Sequence, residues 1–322
     1  MLSVKYELIL VAHGVVSSDA KADLRCILQG KPNLVKAKLV LIDEEVDLGP
    51  AKDRNVGAVL ADSPILLFAD DDTVILEDIT GLLNYLREGK CCGIQPLLLR
   101  SAELEIVDSA GDFVRKGRPL FRPFIRGYRS SLKTLVGDLC VEEVPSMRSA
   151  FMLVKRDAFF AVGGFGSNFI FNYEDVDLGW RMTCVGFKQF FVPSVRVQHK
   201  GGRASSDGVK ETEEDLKLGI VNLYVSHLKI HRYRRWPYFF ASFQQEILSH
   251  ALSRKNNGEI TPAVFFKEFL TLNTMLLDRI WHVRVQKRFL GKKFGFEGRK
   301  KLEDMAKGKR FVYSEASAVQ EG

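Results

Sequence analysis

Four apolar runs alternate with helix-like stretches through the first third of the chain, and this alternation constrains the fold most. The runs are YELILVA (Tyr6 to Ala12), LVKAKLVLID (Leu34 to Asp43), PILLFA (Pro64 to Ala69) and CCGIQPLLL (Cys91 to Leu99). Between the first two lies SSDAKADLRCILQG, with Ser17 or Ser18 as N-cap and Gly30 as C-terminal stop. GPAKDRNVGAVLADS follows the second, with Pro50 suited to a first helical turn and Val56, Val59 and Leu60 as an apolar stripe. LEDITGLLNYLREG follows the third and ends at Gly89. Strands separated by helices of this length predict an α/β, Rossmann-like fold with a parallel sheet and right-handed crossovers. Polar residues just past the C-terminal strand ends then line the ligand crevice. Asp43, Glu44, Asp70, Asp71 and Asp72 all fall at such ends.

Past Glu103 the pattern changes. AELEIVDSAGDFV reads as a hairpin around Ala110 and Gly111, and FRPFIRGYRSSLKTLVGD as a basic, aromatic loop. VEEVPSMRSAFMLVKRDAFFAVGGFG reads as a short strand pair and a short helix ending at Gly163 and Gly164. NYEDVDLGWRMTCVGF is helical with an acidic first turn, which suits the macrodipole. KQFFVPSVRVQHKGG is strand ending in His199. After Gly202 the chain reads as mostly helical, with Thr261 and Pro262 opening one long helix and a frayed tail expected from Glu297. The expected division is residues 1–205 and 206–322.

Hydrophobic residues at 46% and charged residues at 27% exclude a disordered chain. The net charge of +7 is concentrated: between Lys229 and Arg310 stand 19 Lys or Arg and 7 Asp or Glu. Such a segment faces something anionic, and charge alone admits a membrane surface or nucleic acid. Five cysteines without C-x-x-C spacing fit reduced thiols in a cytoplasm. The N-terminus lacks the charged lead and long apolar core of a signal peptide and reads as a first strand. No run of apolar residues is long enough to span a bilayer.

Asp70, Asp71 and Asp72 repel one another at the end of a buried strand unless a cation neutralises them. Mg²⁺ pairs one or two carboxylates with substrate phosphate oxygens, and Mn²⁺ accepts the same ligands; the plain alternative is a solvated acidic turn. Arg54 lies one strand upstream, where a guanidinium suits a diphosphate, although an exposed helical Arg is usually only solubilising. In YEDVDLGWR, Asp175 opens a helix as a general base or, with Glu174, as a simple cap. Trp180 either stacks on a sugar or packs in the core. His199 either completes a metal site or is structural.

In order, these pieces read strand-end Asp43/Glu44, G-P-A-x-x-R-N-x-G, strand–DDD, GG-F, E-D-V-D-L-x-x-R and strand–His. The constellation resembles the family 2 glycosyltransferases of GT-A fold, especially the rhamnosyltransferase-like members that build bacterial and archaeal surface polysaccharides. The resemblance runs from about Tyr6 to Gly202. It implies a GT-A nucleotide-sugar-binding domain with a mostly helical C-terminal extension. It implies nucleotide contacts from Asp43 and Glu44, and from the Val11 region, where VAHG replaces the T-x-N of many members. Glu44 stands where an Asp is usual, so the nucleotide base stays open. It places Arg54 near the donor diphosphate, makes Asp70 to Asp72 the DxD element with Asp72 the direct metal ligand, and makes His199 a metal or diphosphate contact. Asp175 matches the catalytic base and Glu174 its neighbour; Gly163 and Gly164 match the turn before the acceptor side, to which Trp180 is also assigned. The implied activity is inverting, Mg²⁺- or Mn²⁺-dependent transfer from a nucleoside-diphosphate sugar to a hydroxyl of a glycan or lipid-linked saccharide.

Two other readings compete. A sugar-phosphate nucleotidyltransferase carries a G-x-G-T-R-type loop after the first strand, and VAHGVVSSD is not one. A glycan- or nucleic-acid-binding protein without turnover has no need of Asp72, Asp175 and Arg54 together. HRYRRWPYFF and VRVQKRFLGKKFGFEGRKK interleave cations with aromatics, as an interfacial helix, a single-strand nucleic-acid binder or an ordinary basic face does. The resemblance favours an anionic membrane surface at the inner face of the cell membrane, and nucleic acid is not the expected partner.

Overall fold

A computed structural model describes residues 5–13, 31, 33–42, 49–100, 105–170, 172–200, 212–256, 260–294 and 298–313. The helix expected between Ser17 and Gly30, the Asp43/Glu44 pair and the 205/206 division fall outside the described residues.

Strands β1 (Tyr6–His13) and β2 (Leu34–Ile42) pair in parallel as a two-stranded sheet. Helix α1 (Pro50–Leu60) packs on β1, with Pro50 in its first turn where the missing N–H costs nothing. Its cap, Gly49, has φ +82°, and a Cβ there would sit 2.0 Å from the Ile170 carbonyl oxygen. Only glycine lets the two segments touch.

The main sheet runs β3 (Ile65–Ala69), β10 (Phe151–Lys155), β5 (Gly93–Arg100), β11 (Gln189–His199), β4 (Thr73–Ile75), with β6 (Val107–Ser109) on β5 and β9 (Glu142–Glu143) on β11. It is mixed rather than parallel. β5 and β11 are parallel, and β10 runs antiparallel between β3 and β5, so β3, β5 and β11 share one direction. Residues alternate faces along β10: Phe151 and Leu153 join one apolar cluster with α2 (Thr80–Arg87), while Met152 and Val154 join the other with α1 and α3 (Arg156–Ala161). Helices thus cover both faces.

The hairpin lies elsewhere than expected. Its partners are β7 (Asp112–Lys116) and β8 (Phe121–Ile125), so part of the anticipated loop is strand, and β6 turns away to β5. The sequence change at Gly111 marks a break between two sheets, not a turn within one.

Helix α4 (Glu174–Cys184) is buried nearly all round. Helices α5 (Glu213–Ile230), α6 (Trp236–Asn256) and α7 (Pro262–Phe294) build outward from it, and α5 shares its apolar cluster. Thr212 and Asp215 form a reciprocal capping box at the start of α5. The expected frayed tail is corrected over residues 298–313. Helix α8 (Arg299–Ala306) buries Leu302, Met305 and Ala306 against the α4 side of the molecule, and Val312 bridges to Glu142.

Candidate active site

Strand direction assembles the site. β3 ends at Ala69 and β11 at His199, on the same sheet edge because the strands share a direction. β10 enters from that edge, so Ser149 and Ala150 lie beside the acidic turn: Asp70 N–H donates to Ala150 O at 2.9 Å. β4 pairs Thr73 with His199, and Lys200 N–H donates to Asp72 O at 3.0 Å. An antiparallel insertion therefore delivers residues from the middle of the chain to the loop after β3.

Asp70, Asp72 and His199 each place a ligand atom within 4.8 Å of the others. His199 Nδ1 lies 2.7 Å from Asp108 Oδ2, which turns Nε2 toward Asp72 Oδ1 at 3.5 Å. An imidazole oriented by a carboxylate behind it is the usual arrangement of a ligating histidine. Two carboxylates and one imidazole suit Mg²⁺ or Mn²⁺, so the donor set fits the metal expected from sequence. Burial opposes charge on both His199 and Asp108, yet their mutual hydrogen bond wins: the His199 pKa is raised and that of Asp108 lowered. Asp71 is exposed beside this cluster.

Arg54 joins the acidic turn to the start of α4. Its Nη2 donates to Asp70 Oδ1 at 2.7 Å and its Nη1 to Glu174 Oε1 at 3.1 Å. Burial works against this guanidinium, but Asp70 and Glu174 raise its pKa. Glu174 is also held by Ser149 Oγ at 3.3 Å. Burial first, then Asp175 next to it, raises the Glu174 pKa against the pull of Arg54. Asp175 accepts from the backbone N–H of Val176 at 2.7 Å and of Ser149 at 3.3 Å. Two consecutive left-handed residues, Asn172 (φ 63°) and Tyr173 (φ 69°), set the angle at which α4 enters. A non-glycine residue held there costs about 1–3 kcal/mol and persists only when its surroundings fix it.

Behind the edge, Arg148 lies 3.8 Å from Asp112, which accepts from Ser109 Oγ at 2.9 Å. Burial pushes the Asp112 carboxyl up to about 7, Arg148 pulls against this, and the Asp175 charge adds to it. Asp108, Asp112, Arg148 and Ser149 were not singled out from sequence. Asp108 meets His199 across 91 residues and Ser149 meets Glu174 across 25.

Two expected acceptor residues are corrected. Trp180 is fully buried, edge-on to Phe121 and His227, so it packs the core and offers no face to a sugar. Gly164 is buried at φ +65° with its carbonyl accepting from Arg181 Nη2 at 2.8 Å, so it shapes a packed turn instead of an acceptor surface. Asn55 ties the same turn to α1 through both Phe165 N–H and Phe165 O, each at 2.9 Å. Val11 is half-buried, near Gly57 of α1.

No protein-family profile matches the chain. The N-acetylglucosaminyl-diphospho-decaprenol L-rhamnosyltransferases of two Mycobacterium tuberculosis strains are 46% identical over 48 residues, which are 15% of this chain and 16% of theirs. The chain thus matches only 16% of the length of these curated relatives. Among solved structures, GalNAc-T7, crystallised with UDP, GalNAc and Mn²⁺, superposes with a TM-score of 0.53 at 15% identity, covering 76% of this chain and 51% of that one. Staphylococcus aureus TarS 1–349, solved with UDP, gives 0.43 at 12% identity over 92% and 81%. The superposition on GalNAc-T7 is a likeness of fold, and that fold is the GT-A fold of glycosyltransferases.

Proposed function

We propose that the protein is an inverting, metal-dependent glycosyltransferase that moves a sugar from a nucleoside diphosphate to a hydroxyl of a glycan or lipid-linked saccharide. The observation that carries this reading is the meeting of Asp70, Asp72 and His199 with Arg54, Glu174 and Asp175 on one sheet edge. In this reading residues 1–205 form the transferase unit and residues 206–322 a helical extension. Asp70, Asp72 and His199 would hold Mg²⁺ or Mn²⁺, which when bound neutralises charge on the leaving diphosphate. Arg54, fixed between Asp70 and Glu174, supplies a second cation for that charge. Asp175 takes the proton from the acceptor hydroxyl. The acceptor oxygen bonds to the anomeric carbon as the bond to the diphosphate breaks on the opposite face, and the electron pair leaves with the nucleotide. Glu174 accepts from Arg54 Nη1 and so holds that cation beside the base.

Thermal stability against a panel of nucleoside diphosphates, with and without Mn²⁺ or Mg²⁺, tests the donor site, because a ligand of the native state raises the melting temperature. One nucleotide should give a metal-dependent shift that Asp72→Ala removes. Asp175→Asn should keep that shift and lose turnover, read as donor consumption, by about 10²–10⁴-fold. No shift with any nucleotide would reject the donor site. Product with retained anomeric configuration would reject the inverting step.

A further inference from the structure

The outer side of α7 is unusual for a surface helix. Phe266, Leu270, Leu277, Trp281 and Val285 fall within an arc of about 100° at 3.6 residues per turn. Phe266 is 60% exposed, Leu277 61% and Trp281 67%. The inner side is already satisfied: Leu272, Leu276, Val283 and Leu290 are buried. The apolar stripe is therefore not core left bare but a second apolar face. At 33 residues the helix is about 50 Å long, and the stripe runs along more than half of it. A contiguous apolar surface of this extent marks an interaction site.

Its charges select the partner. Lys267, Arg284, Arg288 and Lys292 are exposed on the same side, with Asp278 the acid among them. A second copy docking face to face would set these cations against themselves. Single-stranded nucleic acid would answer the cations but leave Leu270, Leu277 and Val285 nothing to stack on. An anionic bilayer answers both, taking apolar side chains at the headgroup boundary and cations at lipid phosphates. Beside the stripe, Tyr233, Trp236, Pro237, Phe240, Arg284 and Arg288 line a shallow pocket of ≈ 370 Å³, with the Arg284 guanidinium 5.8 Å from the Trp236 ring. Two arginines over an aromatic floor suit a phosphate headgroup. No helix among the described residues is long and apolar enough to cross a membrane, so the contact is one of surface attachment.

We propose that the outer face of α7 docks on an anionic lipid bilayer. The same helix reaches the active site from behind. Arg279 Nη1 donates to Asn222 Oδ1 at 2.5 Å, and Asn222 Nδ2 donates at 2.8 Å to the carbonyl of Asn172, two residues before Glu174. Docking thus fixes the orientation of the α4 entrance relative to the lipid surface.

The test is flotation of the full chain at low salt with phosphatidylcholine vesicles, and with vesicles in which about a third of the lipid is phosphatidylglycerol. The chain should float with the anionic vesicles. Its tryptophan emission should shift to shorter wavelength, and Trp281→Phe, which leaves Trp180 and Trp236 in place, should remove most of that shift. Leu277→Glu with Trp281→Glu should reduce the bound fraction tenfold or more at an unchanged melting temperature. Arg284→Glu with Arg288→Glu should remove the preference for anionic over neutral vesicles. Three outcomes overturn the proposal: no flotation with anionic vesicles, flotation indifferent to Leu277→Glu/Trp281→Glu, or a sedimenting dimer or oligonucleotide complex that this variant dissolves. The nucleotide-dependent thermal shift should survive in both variants, so the docking and donor-site readings fail separately.

Discussion

His199 has one ring nitrogen committed to Asp108 and the other turned toward Asp72, so the carboxylate behind it decides how well it can ligate. Partners of this kind are worth about 10–100-fold in metal affinity. Asp108→Asn should weaken Mn²⁺ binding by that factor, measured by calorimetric titration, while the fold melts close to wild type. Unchanged affinity would remove His199 from the ligand set. A second buried cluster governs pH response instead of binding. Asp177 takes hydrogen bonds from Arg181 at 2.9 Å and Lys229 at 3.0 Å, and all three are buried. Two cations share one carboxylate, and the guanidinium cannot yield its proton. Burial accordingly lowers the Lys229 pKa from 10.5 to about 8, although Asp177 opposes the shift. Between about 8 and 10.5 the unfolded chain binds more protons than the folded one, so this group makes stability rise with pH there, by at most about 1.4 kcal/mol per pH unit. Lys229→Met should flatten that slope in urea unfolding curves taken from pH 8 to 10. An equal slope in wild type and variant would show Lys229 to be no more acidic folded than unfolded.

Among the elements, α5 shows how the helical region is tied together. The last carbonyls of a helix lack internal partners. Here Lys287 from α7 donates to Leu228 O at 3.1 Å, to Lys229 O at 3.2 Å and to His231 O, and Arg299 from α8 donates to Ile230 O at 2.7 Å. The Arg299 guanidinium also suits this end of the dipole. Lys287→Met keeps an unbranched apolar stem and removes the donor, leaving buried carbonyls unsatisfied at a cost of about 1–3 kcal/mol. The urea midpoint should fall accordingly, and an unchanged midpoint would show that other donors take over. At this scale much was readable from sequence. β2 was expected from Leu34 to Asp43 and runs Leu34–Ile42; α1 and α4 also form where the spacing put them. Those signals are local. Strand direction is not, because a buried apolar run such as FMLV reads the same either way, and β10 was free to run antiparallel. Trp180 was ambiguous for a related reason: a helix buried all round has no polar face against which to orient a side chain.

For the whole molecule, the acids of the site were legible because DDD and YEDVD are contiguous, whereas Asp108, Asp112 and Ser149 take their places only when distant strands pair. The misread C-terminal stretch has the same origin. Between Arg299 and Arg310 its composition is basic and its apolar residues few, which is how a solvated tail looks in isolation. Its partners are all distant. Lys301 pairs with Glu143, Arg310 donates to Glu142 at 2.9 Å, Tyr313 N–H donates to Val141 O at 2.9 Å, and Gly298 N–H caps the end of α4 through Cys184 O at 3.0 Å. A Cβ on Gly298 would fall 1.9 Å from the Thr183 carbonyl oxygen, so the segment is pressed against α4. Leu302 and Met305 are buried there, and full burial of each is worth about 1.5–3 kcal/mol. Their loss alone removes roughly 3–6 kcal/mol from a total that is about 5–15 kcal/mol in ordinary proteins. Ending the chain after residue 297 should therefore lower the melting temperature by on the order of 10 °C. It should also weaken nucleotide binding, because α4 carries Glu174 and Asp175 at its other end. A truncated protein that melts and binds as the full chain does would show that α4 holds its place without this support.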